Sequence, residues 1–188
     1  MHLGIDYGAK LAGTTAISYE QNGQFYVLQS EKKKDADKFI QQTILQLQPN
    51  SIFIDAPLSL PLAYFGKGTD FFYRNCDKDL SAMSPMFLGG LTARAMKLKH
   101  SLSPLPFYET YPAQIVKHYF PEAKGYKKQK DFLADFCALL SSKLPFEIAV
   151  IPSNWHQVDS ILAWWAGWRF QRSDVKIYGE EKEGKIYI

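Results

Sequence analysis

Hydrophobic positions along this chain fall into alternating strand-like and helix-like periods. Residues 1–7 and 12–19 are apolar runs of strand type joined across Gly8-Ala9-Lys10. Gln21-Asn22-Gly23 is a hairpin signal, and the alternation over 24–29 predicts a third strand. Over 36–47, Phe39, Ile40, Ile44 and Leu47 recur at helical spacing, with Pro49 as a stop. A short buried strand follows at 52–55. Residues 56–77 carry Pro57, Pro61, Gly66 and Gly68 and read as a long irregular excursion, of a kind that is often functional. Beyond it the pattern predicts a helix over 87–102, a strand at 107–110, and a helix over 112–119 with Pro112 in its first turn. A further helix covers 128–142, with Phe132, Phe136, Leu139 and Leu140 on one face, and 145–151 fits either strand or loop. The last long helix starts near Asn154, an N-cap with Gln157 three positions on, and runs to about Phe170. A hairpin over 174–178 and 185–188 ends the pattern. The opening hairpin, helix and central strand predict a mixed sheet with an antiparallel edge.

Length changes this picture little: 188 residues suit one well-buried domain over 1–188. A hydrophobic fraction of 46% against 22% charged residues predicts a folded core rather than disorder. The net charge of +3 permits a polyanionic partner without arguing for one. Cys76 and Cys137 are far apart and in no metal-ligand spacing, which argues against zinc fingers and disulfide frameworks and fits a reducing compartment. No apolar stretch approaches the roughly 20 residues that cross a bilayer, and no charged leader precedes an apolar core. A cytoplasmic protein with no membrane association is the expectation.

Two strands end in a carboxylate: Gly4-Ile5-Asp6-Tyr7-Gly8 and Ile52-Phe53-Ile54-Asp55-Ala56-Pro57. Each aspartate alone is explained by turn hydrogen bonding. Brought together on neighbouring strands, Asp6 and Asp55 would make a site for a divalent metal, because a buried carboxylate needs a facing cation or donor. The glycines beside Asp6 would let a metal or phosphate approach the backbone. His156 and Asp159 lie three apart on the last helix and share a face, with Ala163 and Gly167 small enough to let that helix sit close to a sheet. Glu109 lies near the end of another strand, as a fourth ligand or as the partner of a basic residue. Arg74, in Arg74-Asn75-Cys76-Asp77, either ties to Asp77 or contacts phosphate. The basic runs are 32–34, Arg94 with Lys97 and Lys99, and 124–130; within the last, Tyr126 could stack on a base and Lys127 could hold phosphate. Gly66-Lys67-Gly68-Thr69 lacks the upstream glycine of a phosphate loop.

Taken in order, Gly4-Ile5-Asp6, Ile54-Asp55-Ala56-Pro57-Leu58-Ser59-Leu60-Pro61, Arg74-Asn75-Cys76-Asp77, Glu109-Thr110-Tyr111-Pro112, His156-Gln157-Val158-Asp159-Ser160 and the closing 179–188 hairpin resemble an uncharacterised family of predicted nucleases with an RNase H-like fold. More distantly, Asp6, Asp55 and the His156/Asp159 helix resemble the acidic layout of RuvC-type resolvases. The resemblance implies a three-layer α/β/α domain with a five-stranded mixed sheet. It also implies a Mg²⁺ or Mn²⁺ site and a DNA or RNA substrate. One departure is Asp55, where RuvC-like enzymes carry Glu. On this reading Asp6, Asp55 and Asp159 are catalytic and metal-binding, Glu109 is a further ligand, and Arg74, His156 and Lys127 bind substrate. Two rivals stay open: an actin-like nucleotide-binding or sugar-kinase domain, which would need a second Asp-Gly-rich hairpin that this chain lacks, and a non-catalytic binding scaffold.

Overall fold

The structure, a computed structural model, describes residues 1–129, 131–148 and 151–188. Strand β1 (His2–Asp6) is buried along its whole length and divides its side chains between two cores. Leu3 and Ile5 enter one, while Gly4 and Asp6 face a long helix on the other side. Strand β4 (Ser51–Asp55) repeats this, with Ile52 and Ile54 on the first side and Phe53 on the second.

With β2 (Ala16–Gln21), β3 (Gln24–Gln29), β5 (Phe107–Thr110), β6 (Ile177–Glu180) and β7 (Gly184–Tyr187), these form one mixed sheet of order β3-β2-β1-β4-β5-β7-β6. β1, β4, β5 and β7 run parallel; β2 and β6 are antiparallel to their neighbours. The expected five strands are therefore seven. The C-terminal hairpin does not merely cap the fold, because β7 bonds to β5 and carries β6 with it.

Among the described residues there are seven helices: α1 (Ala36–Leu47), α2 (Asn75–Leu80), α3 (Pro85–Leu88), α4 (Gly90–Ser101), α5 (Pro112–Tyr119), α6 (Phe132–Ser141) and α7 (Trp155–Phe170). Ile40 and Ile44 of α1 and Ala95 and Leu98 of α4 cover one face of the sheet. α5, α6 and α7 cover the other through Ile115, Phe136, Leu140, Ile161 and Leu162. Helix α7 lies directly on β1: a Cβ at Gly4 would collide with the Trp164 and Ser160 backbone, and one at Gly167 with His2 and Phe53. Gly4 thus serves close helix packing rather than ligand approach, and the neighbouring Gly8 packs against Thr14.

The single helix read over 87–102 is two, because Gly89 sits at φ +46 and ψ −102, outside helical space. The excursion after β4 holds a 3₁₀ turn at Leu62–Phe65 before α2 begins. Lys130, which ends one basic run and lies in the helix expected over 128–142, falls outside the described residues, as do 149 and 150 within 145–151. Ile148 makes an isolated parallel bridge to Phe25. Among the described residues no helix is long and apolar enough to cross a membrane.

Candidate metal centre

Parallel pairing of β1 with β4 sets Asp6 directly opposite Asp55. Both strands end there, so both carboxylates emerge at the same rim of the sheet, on the side that α7 covers. The third comes from α7 itself. Asn154 caps this helix, its side chain accepting from the His156 and Gln157 amides, while Gln157 accepts from Ser153 N. That cap fixes the first turn and places Asp159 one turn on, with its side chain fully buried. One carboxylate oxygen from each of Asp6, Asp55 and Asp159 lies within 4.8 Å of the other two.

Three carboxylates at this spacing repel one another in a low-dielectric setting. Burial, then Asp6, then Asp159 push Asp55 well above the usual carboxylate range. Burial likewise raises Asp159 to about 6, with Lys127 opposing and Asp6 adding to the shift. Two of the three are held by donors of the chain. His156 Nδ1 lies 2.8 Å from Asp6 Oδ2, and this bond raises the imidazole above its ordinary value. Asp159 accepts from the Tyr126 hydroxyl at one oxygen and pairs with Lys127 Nζ at the other. Burial alone would lower Lys127, but Asp159 keeps it above the ordinary lysine value. Asp55 receives no hydrogen bond among the described residues.

The other residues expected in the site lie elsewhere. Glu109 is outside the three-carboxylate cluster and is held by Arg74, with Nη2 to Oε1 at 2.6 Å and Nη1 to Oε2 at 2.7 Å. Its Oε2 also accepts from Leu58 N at 2.9 Å, and burial still leaves the carboxyl above its usual range. Arg74 is wholly buried and donates in addition to both oxygens of Asp77 and to Ser59. All of its donors face protein, so it has none for a phosphate. The Arg74–Asp77 tie is real, and it joins a second tie to Glu109 that locks the post-β4 excursion to β5.

Tyr126 is placed differently from its sequence reading as a base-stacking residue: its hydroxyl bonds Asp159 while its ring packs on Trp155 and Phe136. The signal available in sequence was its neighbour Lys127 in a Gly-containing turn, which says nothing about a partner more than thirty residues on. A cavity of about 70 Å³ opens beside Asp55, lined also by Pro57, Met83, Leu88 and Tyr111. Beyond Leu88, Phe87 is exposed and meets the exposed Phe72 at 5.7 Å between ring centroids. Compared with protein-family models, with curated proteins and with solved structures, the chain has no significant match.

Proposed function

We propose that this protein is a metal-dependent phosphodiesterase acting on DNA or RNA, with an RNase H-like core in which Asp6, Asp55 and Asp159 hold Mg²⁺ or Mn²⁺. The observation that carries this reading is the convergence of three carboxylates from distant chain segments to within 4.8 Å. Their donor set is all oxygen and anionic, which suits a hard divalent cation better than zinc. The expense of assembling three carboxylates, of which Asp55 faces no side-chain donor among the described residues, gives a cation a reason to bind there. A mixed core β3-β2-β1-β4-β5, helices on both faces, and acidic residues from the first strand, the fourth strand and the last helix agree with the resemblance drawn from sequence.

A bound divalent cation supplies an activated water and charge stabilisation at a leaving oxygen. The chain supplies the rest. Asp6 and Asp55, fixed by strand register, set the direction from which a phosphate is approached. Lys127, and His156 when it is protonated, are the positive groups at the cluster and hold a non-bridging phosphate oxygen. Tyr111, which lines the cavity beside Asp55, and the exposed Phe72–Phe87 pair offer aromatic surface on which a base can stack. The test is cleavage of single-stranded, duplex and branched DNA and RNA in Mn²⁺, comparing wild type with Asp6→Asn and Asp55→Asn. Loss of cleavage in both variants is expected. Cleavage that survives both overturns the reading.

A further inference from the structure

The cation already present at the acidic cluster belongs to the chain. Lys127 Nζ pairs with Asp159 Oδ2, and its side chain is 44% exposed while that of Asp159 is fully buried. The lysine therefore reaches inward from solvent to cover the innermost carboxylate. Its backbone is unusual: Lys127 sits at φ +56, a left-handed conformation that disfavours residues with a Cβ. Such strain persists where the surroundings impose it, and it clusters at functional sites. Here the constraints are visible. Tyr126 N bonds Ala123 O, Lys128 N and Gln129 N bond Gly125 O, and Gly125 is pressed against the Phe132 ring, where a Cβ would collide. The Tyr126 ring is anchored by Trp155 and Phe136, so its hydroxyl and the next residue's ammonium both arrive at Asp159.

The result is a tight turn that delivers a hydroxyl donor to one oxygen of a buried carboxylate and an ammonium charge to the other, which has no hydrogen bond among the described residues. A divalent ion held by Asp6, Asp55 and Asp159 needs an oxygen of Asp159, and the one without a hydrogen bond is the one that Lys127 faces. We propose that Lys127 is a tethered counter-ion that competes with the divalent cation for Asp159, so that loading of the site and release of the Tyr126–Lys127 turn are one event. This rests on the metal-site reading above and adds to it a residue that sets the affinity and selectivity of loading. A monovalent ammonium on a strained tether is readily displaced by a divalent ion and poorly by Na⁺ or K⁺. Once released, Lys127 stands at the cluster with its charge free for a substrate phosphate.

The test is calorimetric titration of the full chain with Mn²⁺, comparing wild type, Lys127→Met, Lys127→Gln and Asp159→Asn. Removing the competitor is expected to tighten Mn²⁺ by about tenfold or more in both lysine variants, and Asp159→Asn to abolish binding. The lysine variants should also melt lower than wild type without metal, yet gain more in melting temperature when Mn²⁺ is added. Should Lys127→Met fail to fold, trypsin cleavage of the wild type within 124–128 provides a second readout, expected to accelerate when Mn²⁺ saturates the site. Wild type that binds Mn²⁺ alongside lysine variants of equal or weaker affinity would sink the competition alone. Unchanged trypsin cleavage in saturating Mn²⁺ would sink the release of the turn. Absence of binding in wild type and in Lys127→Met would remove the metal reading and this inference with it.

Discussion

Asp6 and Asp55 are register partners on parallel strands, paired at the last residue of each. Neither carboxylate can leave the other's neighbourhood without breaking the ladder between β1 and β4. The repulsion is thus built into the sheet, and the chain's own Lys127 and His156 face Asp159 and Asp6 rather than Asp55. Neutralising one partner should make the metal-free protein more stable, against the usual direction of core mutations. Asp55→Asn is expected to gain about 1 kcal/mol or more without metal, which for a chain of this size is a rise of roughly 2–4 °C in melting temperature. The same substitution should erase the stabilisation that millimolar Mn²⁺ gives wild type by mass action. Thermal melts with chelator and with Mn²⁺ measure both. A variant that melts lower than wild type in chelator would show that the carboxylates are compensated within the chain.

Gly4 is what lets α7 reach these strand ends. A methyl group there would meet the Trp164 amide and the Ser160 carbonyl, both backbone atoms of the helix that carries Asp159. No side-chain rotation relieves that collision, so the helix must lift from β1. Gly4→Ala is expected to cost about 3 kcal/mol, the upper part of the usual overpacking range. Because lifting α7 moves Asp159 away from Asp6 and Asp55, Mn²⁺ affinity should fall even where the protein stays folded. Urea unfolding and Mn²⁺ titration on the same variant separate the two effects. Wild-type affinity in a destabilised Gly4→Ala would mean that Asp159 is not positioned by this contact.

Arg74 holds three elements together: its guanidinium meets Asp77 of α2, Glu109 of β5 and Ser59 of the connecting segment, all out of water. Arg74→Met removes the cation and strands two buried carboxylates, a change that costs about 3–5 kcal/mol for a buried pair. Arg74→Lys should recover little, because an ammonium cannot span both carboxylates as the planar fork does. Chemical denaturation reports the loss. A substrate-contact role predicts the opposite profile, with stability intact and nucleic-acid affinity reduced.

The sequence carried the secondary structure well where a local pattern exists and poorly where partners are distant. The α1 boundaries and the Asn154 cap were legible because both depend on residues within one turn. The convergence of Asp6, Asp55 and Asp159 was legible as a pattern, carboxylates at the ends of apolar runs and on a helix face. Glu109 has that same local pattern, yet it answers to Arg74, which lies thirty-five positions away. Nothing within a few residues of either one shows the pairing. The C-terminal hairpin was visible as a hairpin, but its docking on β5 is a pairing between strands far apart in sequence. Gly89 looked like part of a helix because glycine is tolerated there, and only its positive φ shows the break.

His2 makes the pH dependence of the fold predictable. It is buried, stacked on Trp164 at 5.0 Å, with Nε2 2.8 Å from the Trp164 carbonyl and Nδ1 3.2 Å from Gln171 Nε2. A carbonyl only accepts, so Nε2 carries the hydrogen and the neutral ring accepts from Gln171 at Nδ1. Adding a proton at Nδ1 would set two donors face to face inside the core. Burial accordingly lowers the imidazole from 6.5 to about 4 in the folded protein. The unfolded chain therefore takes up this proton first, and stability falls as pH drops from about 6.5 to about 4, then levels off below. The full loss is on the order of 3 kcal/mol. In His2→Gln nothing titrates at this position, so the variant is expected to lose less stability than wild type between pH 7 and pH 4.5. Urea unfolding of both proteins at half-unit pH steps measures the difference, which should close progressively with acidification. Parallel curves would mean that His2 titrates alike in the folded and unfolded chain, and a wild type that gains on the variant with acidification would mean that His2 is already protonated in the fold, with the Gln171 amide turned to present its oxygen.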